Sequence, residues 1–95
     1  MENAVYQELR RSGRECFYWK GKNEVDFVFR GEKGLSGINV SYGSEIKDRE
    51  VKGLIEFKDN FDEKVSELAI ITKDIEKEEK GIRFVPLWKW LLMCV

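Results

Sequence analysis

The sequence contains no histidine, a single proline and only two cysteines. The absence of histidine excludes the commonest general base, the Ser–His and Cys–His nucleophile pairs, and imidazole metal ligation. Cys16 and Cys94 lie far apart and have no cysteine nearby, so they indicate neither a disulfide framework nor a zinc site. We expect both to be small buried side chains, and any bound metal to be a hard cation held by oxygen ligands.

Long apolar runs are also missing. The longest one, residues 85–95, is interrupted by Lys89 and is shorter than the roughly 20 residues that a membrane span requires. The N-terminus has no basic-then-apolar secretory pattern, which favours a cytoplasmic protein with no membrane association. With 42% hydrophobic and 37% charged residues, the composition is that of a globular protein, and residues 1–95 suffice for one domain.

The net charge is −1, but the charges are unevenly distributed. Eight acids and three lysines lie between Asp59 and Glu79, whereas five bases and one acid lie between Leu9 and Lys22. The bases are Arg10, Arg11, Arg14, Lys20 and Lys22. Such a cluster can contact nucleic acid, although a solvated surface is its more common meaning. Trp19 within it could stack on a base or lie half-buried in a hairpin.

The first half of the chain predicts one helix followed by three strands. Residues 2–11 are good helix formers, and Gly13 is placed to end the helix as a C-cap. Residues 15–20 and 24–30 read as a hairpin, and residues 37–42 alternate between apolar and polar as a third strand does.

Period-two alternation assigns faces to the second strand. It places Val25, Phe27 and Phe29 together on one face of the sheet. The other face then holds Glu24, Asp26 and Val28. Asp26 is therefore expected to point away from the aromatic side chains.

The second half begins with residues 48–60, whose apolar side chains recur at steps of three and four as in an amphipathic helix. The apolar run 68–71 predicts a central strand covered on both faces. Residues 73–80 read as a charged loop, residues 82–85 as a strand, and Pro86 as the start of a last helix. The fold class is therefore α/β, with a mixed central sheet flanked by helices in the order α-β-β-β-α-β-β-α.

The last helix has two apolar sides. Leu87, Trp90 and Leu91 form one side, which we expect to pack on the core. The other side carries Trp88 and Met93, which could contact a second chain, including a second copy in a homodimer.

A three-stranded meander followed by a crossover helix and another strand resembles the core of the PD-(D/E)XK nuclease superfamily, which has a restriction-endonuclease-like fold. More specifically, four blocks resemble the uncharacterised C-terminal domain of archaeal and bacterial AAA-type ATPases. The blocks are ENAV at 2–5, EVDFV at 24–28, GINVS at 37–41 and VPLWKWLL at 85–92. The ATPase part is not among these residues, so the chain is expected to be a separately encoded relic or a module that acts in trans.

The resemblance implies a catalytic site around Mg²⁺, formed by an acid on the first helix, an aspartate on the second strand and a Glu-x-Lys on the third. Glu2 matches the first acid, Asp26 the aspartate, Asn39 the glutamate and Ser41 the lysine. Residues two apart on a strand share a face, so such a pair can bind the metal and orient water together. Glu2 and Asp26 could hold Mg²⁺ only weakly.

Because Asn39 is neutral and Ser41 carries no charge, catalysis by the usual route is expected to fail. The leading hypothesis is a catalytically degenerate nuclease-like domain that binds DNA or a protein partner and needs no cofactor. One alternative is a divergent Mg²⁺-dependent endonuclease in which Lys47 or Lys20 replaces the missing lysine. Another is a protein-assembly domain of an ATPase-related system. Simple polar filling of a sheet face also explains Asn39 and Ser41, as a solvent-facing acidic pair explains Glu24 and Asp26.

Overall fold

The computed structural model describes residues 2–11, 13, 16–31, 33–41, 43, 46–61 and 64–93. The helices are α1 (Glu2–Arg11), α2 (Asp48–Phe61) and α3 (Leu87–Met93). The strands are β1 (Cys16–Lys20), β2 (Glu24–Gly31), β3 (Gly34–Val40), β4 (Val65–Thr72), β5 (Lys77–Glu79) and β6 (Ile82–Pro86). The predicted α/β class and order of elements are confirmed, and the structure adds one short strand, β5, within the segment predicted as a charged loop.

The strands form one mixed six-stranded sheet in the order β1-β2-β3-β4-β6-β5. β1, β2 and β3 are an antiparallel meander, and α2 then crosses over to β4, which pairs parallel to β3. β6 continues the parallel part, and β5 closes the far edge antiparallel to β6. The run 68–71 belongs to β4, which lies between β3 and β6, so its predicted central position is confirmed.

Helices cover both faces of this sheet. α1 and α3 contribute Val5, Leu9 and Trp90 to a buried cluster on one face, and Leu87 and Leu91 pack against the same cluster as predicted. α2 contributes Leu54 and Phe57 to a second cluster on the other face. No helix in the described part of the chain has the length and apolarity needed to cross a membrane.

A β-bulge corrects the predicted faces of β2. Phe17 pairs with Val28 and Trp19 pairs with Val25, so Asp26 and Phe27 together lie opposite Tyr18. The extra residue shifts the alternation, because two residues of one strand oppose one residue of the other. Val25 consequently joins Val28 in the cluster under α2, while Phe27 and Phe29 lie in the other cluster. A uniform period of two cannot reveal such a shift.

Several boundaries also differ from the predicted ones. β3 and β4 begin at Gly34 and Val65, because backbone pairing continues beyond the apolar runs that marked these strands. Pro86 is the last residue of β6 and precedes α3 rather than starting it. Gly13 has a φ of 80° and donates its N–H to the Arg10 carbonyl at 3.0 Å, as expected of a helix C-cap. Cys16 is half-buried, and Cys94 lies outside the described residues.

The close approach of α2 to β2 depends on Gly53. A Cβ at this position would clash with the backbone of Glu24, including its carbonyl oxygen. Gly53 is buried in the middle of α2, so neither backbone has free space into which it could move. Glycine is therefore required here for packing, although it is a poor helix former.

We predict that Gly53→Ala destabilises the fold. Strain of roughly 1–3 kcal/mol from overpacking should exceed the gain of up to about 1 kcal/mol in helix propensity. Urea unfolding should therefore give a free energy of unfolding that is lower by roughly 1–2 kcal/mol. Gly31→Ala is the control, because the nearest atom to a Cβ there is the Gly34 carbonyl oxygen at 3.7 Å. Equal stability of the two variants would contradict this role for Gly53.

Candidate functional site

Two side chains join β2 to β3 where the regular pairing of these strands ends. The last backbone pair on this side is Phe27 with Ile38. Beyond it, the Asp26 N–H donates to Asn39 Oδ1 at 2.8 Å, and the Val40 N–H donates to Asp26 Oδ2 at 3.0 Å. Side-chain oxygens thus replace the carbonyl acceptors that a regular ladder would supply.

The Asn39 carboxamide also joins the sheet to α2. Its Nδ2 donates to the Glu24 carbonyl at 3.1 Å and to the Glu50 carbonyl at 2.9 Å. Asn39 is only 2% exposed. Its oxygen and its nitrogen therefore make their hydrogen bonds with buried backbone groups of β2 and α2 and not with water. This arrangement explains why a neutral amide suits the position: a carboxylate there would face two carbonyl oxygens.

A cavity of about 730 Å³ opens at this end of the sheet, beside the carboxyl end of β3 and the first turn of α2. Ligands of open α/β sheets commonly bind at the carboxyl ends of strands. The lining residues are Lys22, Asn23, Glu24, Asp26, Asn39, Val40, Gly43, Lys47, Arg49 and Glu50. The cavity is therefore polar and contains charges of both signs.

The charges in the cavity differ in their exposure. Lys22, Lys47 and Arg49 are exposed, whereas Asp26 and Glu50 are half-buried. One buried carboxylate oxygen of Glu50 has no hydrogen-bond partner among the described residues. Glu24 is exposed as well, so the exposed charges of the cavity are three cations and one carboxylate. This excess of positive charge favours anions, because an approaching ligand meets the exposed charges first.

Four cations at this end of the molecule form no ion pair within the described ranges: Lys20, Lys22, Lys47 and Arg49. Lys20 ends β1 directly across from Glu24, and the other three line the cavity. They come from two distant parts of the sequence. We call these four residues the basic rim.

The basic run expected from the sequence is divided by the fold. Arg10 and Arg11 lie in the last turn of α1, and β1 carries the chain roughly 13 Å from Cys16 to Lys20. Arg11 forms an ion pair with Glu8 at 2.5 Å, and its hydrogen bond lowers the pKa of the Glu8 carboxyl. Arg10 lies 5.8 Å from the centre of the Tyr6 ring. Arg14 lies outside the described residues.

Tyr18 lies on β1, on the same face as the paired residues Lys20 and Glu24, and is 53% exposed. Its hydroxyl donates a hydrogen bond to Glu24, and this bond raises the pKa of Tyr18 to about 12. The negative charges of Glu24 and Asp26 act in the same direction, because they disfavour the phenolate. Tyr18 is therefore held as a neutral hydrogen-bond donor.

The other residues expected at the site occupy different environments. Ser41 is 1% exposed, and its N–H donates to the Ile71 carbonyl at 2.8 Å, which continues the pairing of β3 with β4. Glu2 lies in α1 one turn before Tyr6, whose ring stacks on Phe27 with 6.4 Å between centres. The backbone thus brings α1 near the Asp26 end of β2.

The metal site expected from the resemblance does not fit the amide found here. The Asn39 oxygen is neutral and already accepts a hydrogen bond, and its nitrogen is a donor, so this side chain is a poorer metal ligand than the glutamate that the resemblance implies. Within the described ranges, no three acidic or cysteine side chains cluster as metal ligands. Lys47, expected as a substitute for the missing lysine, lines the same cavity as Asp26.

Arg49, Glu50 and Glu56 were not expected at the site. Glu56 accepts hydrogen bonds from the N–H groups of Lys22 and Asn23 at 3.1 and 3.0 Å, so α2 fixes the turn of the β1–β2 hairpin. Arg49 and Glu50 could have been predicted from the sequence, because the first turn of a crossover helix adjoins the carboxyl end of the preceding strand, here β3. No sequence pattern marks the contact of Glu56 with the turn.

The fold and the site together define a small mixed α/β domain with a polar cavity at the carboxyl end of a central strand. The chain belongs to the family described as a domain of unknown function, DUF4143, whose family model matches residues 1–90. Comparison with curated proteins found no match.

We predict that Asn39→Ala lowers the free energy of unfolding by about 2–4 kcal/mol, because three buried backbone groups lose their partner. Urea unfolding measures this loss. Asn60→Ala is a matched control, since its Nδ2 makes one exposed bond to the Glu56 carbonyl, and it should change stability by less than about 0.5 kcal/mol. If both variants were equally stable, the side chain of Asn39 would not join these elements.

We further predict that Glu24→Gln lowers the pKa of Tyr18 toward its ordinary value of 10.0. The folded protein holds the phenolic proton more tightly than the unfolded chain does. This contact therefore contributes to stability below pH 10 and loses its contribution as the pH rises through about 12. Absorbance titration, with Tyr18→Phe subtracted to isolate one ring, would follow the shift. Glu78→Gln, an exposed acid on β5, should leave the titration of Tyr18 unchanged.

Proposed function

We propose that this chain is a nuclease-like domain that has lost catalysis and binds nucleic acid at the basic rim. The proposal starts from the resemblance to PD-(D/E)XK nucleases and to the C-terminal domain of AAA-type ATPases. The antiparallel meander, the crossover through α2 and the parallel strand β4 agree with that core order. Asp26 lies near the amino end of β2 and Asn39 near the carboxyl end of β3. Both line the cavity that opens there, as nuclease site positions would.

The observation that supports the loss of catalysis is the set of hydrogen bonds that the Asn39 side chain makes. In an active relative a glutamate at this position would present a negative oxygen to the metal. Here the amide is bonded to Asp26, Glu24 and Glu50 through their backbone groups. The buried Ser41 carries no positive charge, so nothing at its position would balance phosphate or an attacking hydroxide.

The charge distribution supports nucleic acid as the partner. Phosphates are recognised by exposed lysine and arginine, and such contacts dominate nonspecific affinity. The basic rim provides four such side chains without competing ion pairs in the described part of the molecule. Glu24 is an exposed acid beside these cations, and its carboxylate accepts a hydrogen bond from the Tyr18 hydroxyl.

A protein partner is the second candidate, and the outer side of α3 favours it. Trp88 is 60% exposed and Leu92 is 68% exposed, and the two are one helical turn apart. Such a pair could contact an ATPase chain or a second copy of this domain. It is smaller than the contiguous patches that mark stable interfaces, so nucleic acid is the better supported partner.

The test is binding of the purified domain to labelled single-stranded and duplex DNA over a salt series, with and without Mg²⁺. Affinity should fall steeply with salt, and no cleavage should accompany binding. The double variant Lys47→Gln/Arg49→Gln should reduce the slope of log affinity against log salt by about 2. The matched control Lys58→Gln/Lys73→Gln removes two exposed lysines elsewhere and should leave the slope nearly unchanged.

Two outcomes would contradict the proposal. Mg²⁺-dependent cleavage that Asp26→Asn abolishes would restore the divergent endonuclease, with Lys47 as its substitute base. Absence of DNA binding at low salt would instead favour the assembly domain, which size-exclusion chromatography of the protein and of its Trp88→Glu variant would then examine.

A further inference from the structure

Two neighbouring aromatic residues are equally exposed on the edge strand β1. Phe17 is 54% exposed and Tyr18 is 53% exposed. Because side chains alternate along a strand, the two rings lie on opposite faces of the sheet. Phe17 shares its face with Trp19, which packs against Phe57 and Phe61 of α2. Tyr18 shares its face with Lys20.

The Tyr18 ring is linked to the cavity through Glu24, which lies on the same face of the sheet because Glu24 pairs with Lys20. Its hydroxyl bonds Glu24, which lines the cavity together with three members of the basic rim. Lys20, the fourth member, is two residues along the same strand and on the same face. A flat, exposed ring thus shares its face of β1 with one exposed cation of the basic rim, and it contacts a residue of the cavity that the other three cations line.

We propose that the partner is single-stranded nucleic acid, with the Tyr18 ring as a stacking platform for a base and the basic rim as the contact for the backbone phosphates. This inference rests on the proposed function and names the class of nucleic acid. Proteins that bind single strands combine these two features, a cationic path for the backbone and aromatic rings for the bases. Charge complementarity with phosphate selects the polyanion over an apolar partner.

The surroundings of Tyr18 suit this role. The bond from its hydroxyl to Glu24 restricts the ring, so less conformational entropy is lost when a base stacks on it. Among the described residues the ring makes no aromatic contact that a base would have to displace. Duplex DNA keeps its bases stacked on one another, so only an unpaired base can use the ring.

The other aromatic residues near the basic run are less suitable. Trp19 contacts Phe57 with 5.6 Å between ring centres, which agrees with the half-buried alternative and leaves little of the ring for a base. Tyr6 already stacks on Phe27 and lies below Arg10. Phe17 is exposed on the opposite face of the sheet from Tyr18. It therefore provides a control of equal exposure.

The test compares a fluorescently labelled 12-nucleotide single strand with the duplex of the same sequence, by anisotropy at low salt. Tyr18→Ala should weaken single-strand binding roughly 5- to 150-fold, the range measured for loss of one stacking ring. Duplex binding should change by less than about twofold, because phosphate contacts remain. Phe17→Ala should leave both affinities within about twofold, and Tyr18→Phe, which keeps the ring, should retain most of the single-strand affinity.

Urea unfolding of each variant would establish that the fold is intact before its affinity is compared. Equal binding of single strand and duplex, unaffected by Tyr18→Ala, would overturn the stacking role and leave the proposed function standing. An equal loss with Phe17→Ala would also overturn it, because the effect would not be specific to the face of the sheet that carries Tyr18. Absence of binding to either DNA would overturn both proposals.

Discussion

The hydrogen bonds of the Asn39 carboxamide are the constraint on which the rest of the candidate site depends. One side chain satisfies the N–H of Asp26 and the carbonyls of Glu24 and Glu50, and so joins β3 to β2 and to the first turn of α2. Residues of these three elements line the cavity. Gly53 permits the same approach from within α2, since any side chain there would push the helix away from Glu24. The cavity is therefore shaped by buried polar bonds and close backbone packing together.

This arrangement has a chemical consequence. A metal-dependent hydrolase needs negative oxygens that are free to bind an ion, whereas the carboxamide here is neutral and its oxygen and nitrogen already make hydrogen bonds. Asp26 likewise has one carboxylate oxygen bonded to the Val40 N–H. At these two positions the end of the sheet is organised for structural stability, which agrees with a binding role in place of catalysis. Among the described residues, the exposed cations and the Tyr18 ring are groups that a ligand can reach.

The fold determines which charges act together. Arg10 and Arg11 are close to Lys20 in sequence, yet Arg11 pairs with Glu8 and Arg10 lies over Tyr6. Lys47 and Arg49 are distant in sequence from Lys22, but the three line one cavity because α2 packs against the β1–β2 hairpin. Glu56 strengthens this arrangement by binding the backbone of the turn. Clusters of charge along a sequence are thus a poor guide to clusters on a surface when strands and helices separate them.

The sequence by itself determined the class of the fold and the order of its elements, because periodicity, the glycine C-cap and the apolar run of β4 are local signals. It also identified Asp26, Asn39 and Lys47, which the structure brings to one cavity. Only the tertiary structure decided the bulge that moves Val25 to the face of α2, the three partners of Asn39, and the cavity positions of Arg49 and Glu50. Each of these depends on contacts between residues far apart in the chain, whose energies no local pattern of residue types encodes.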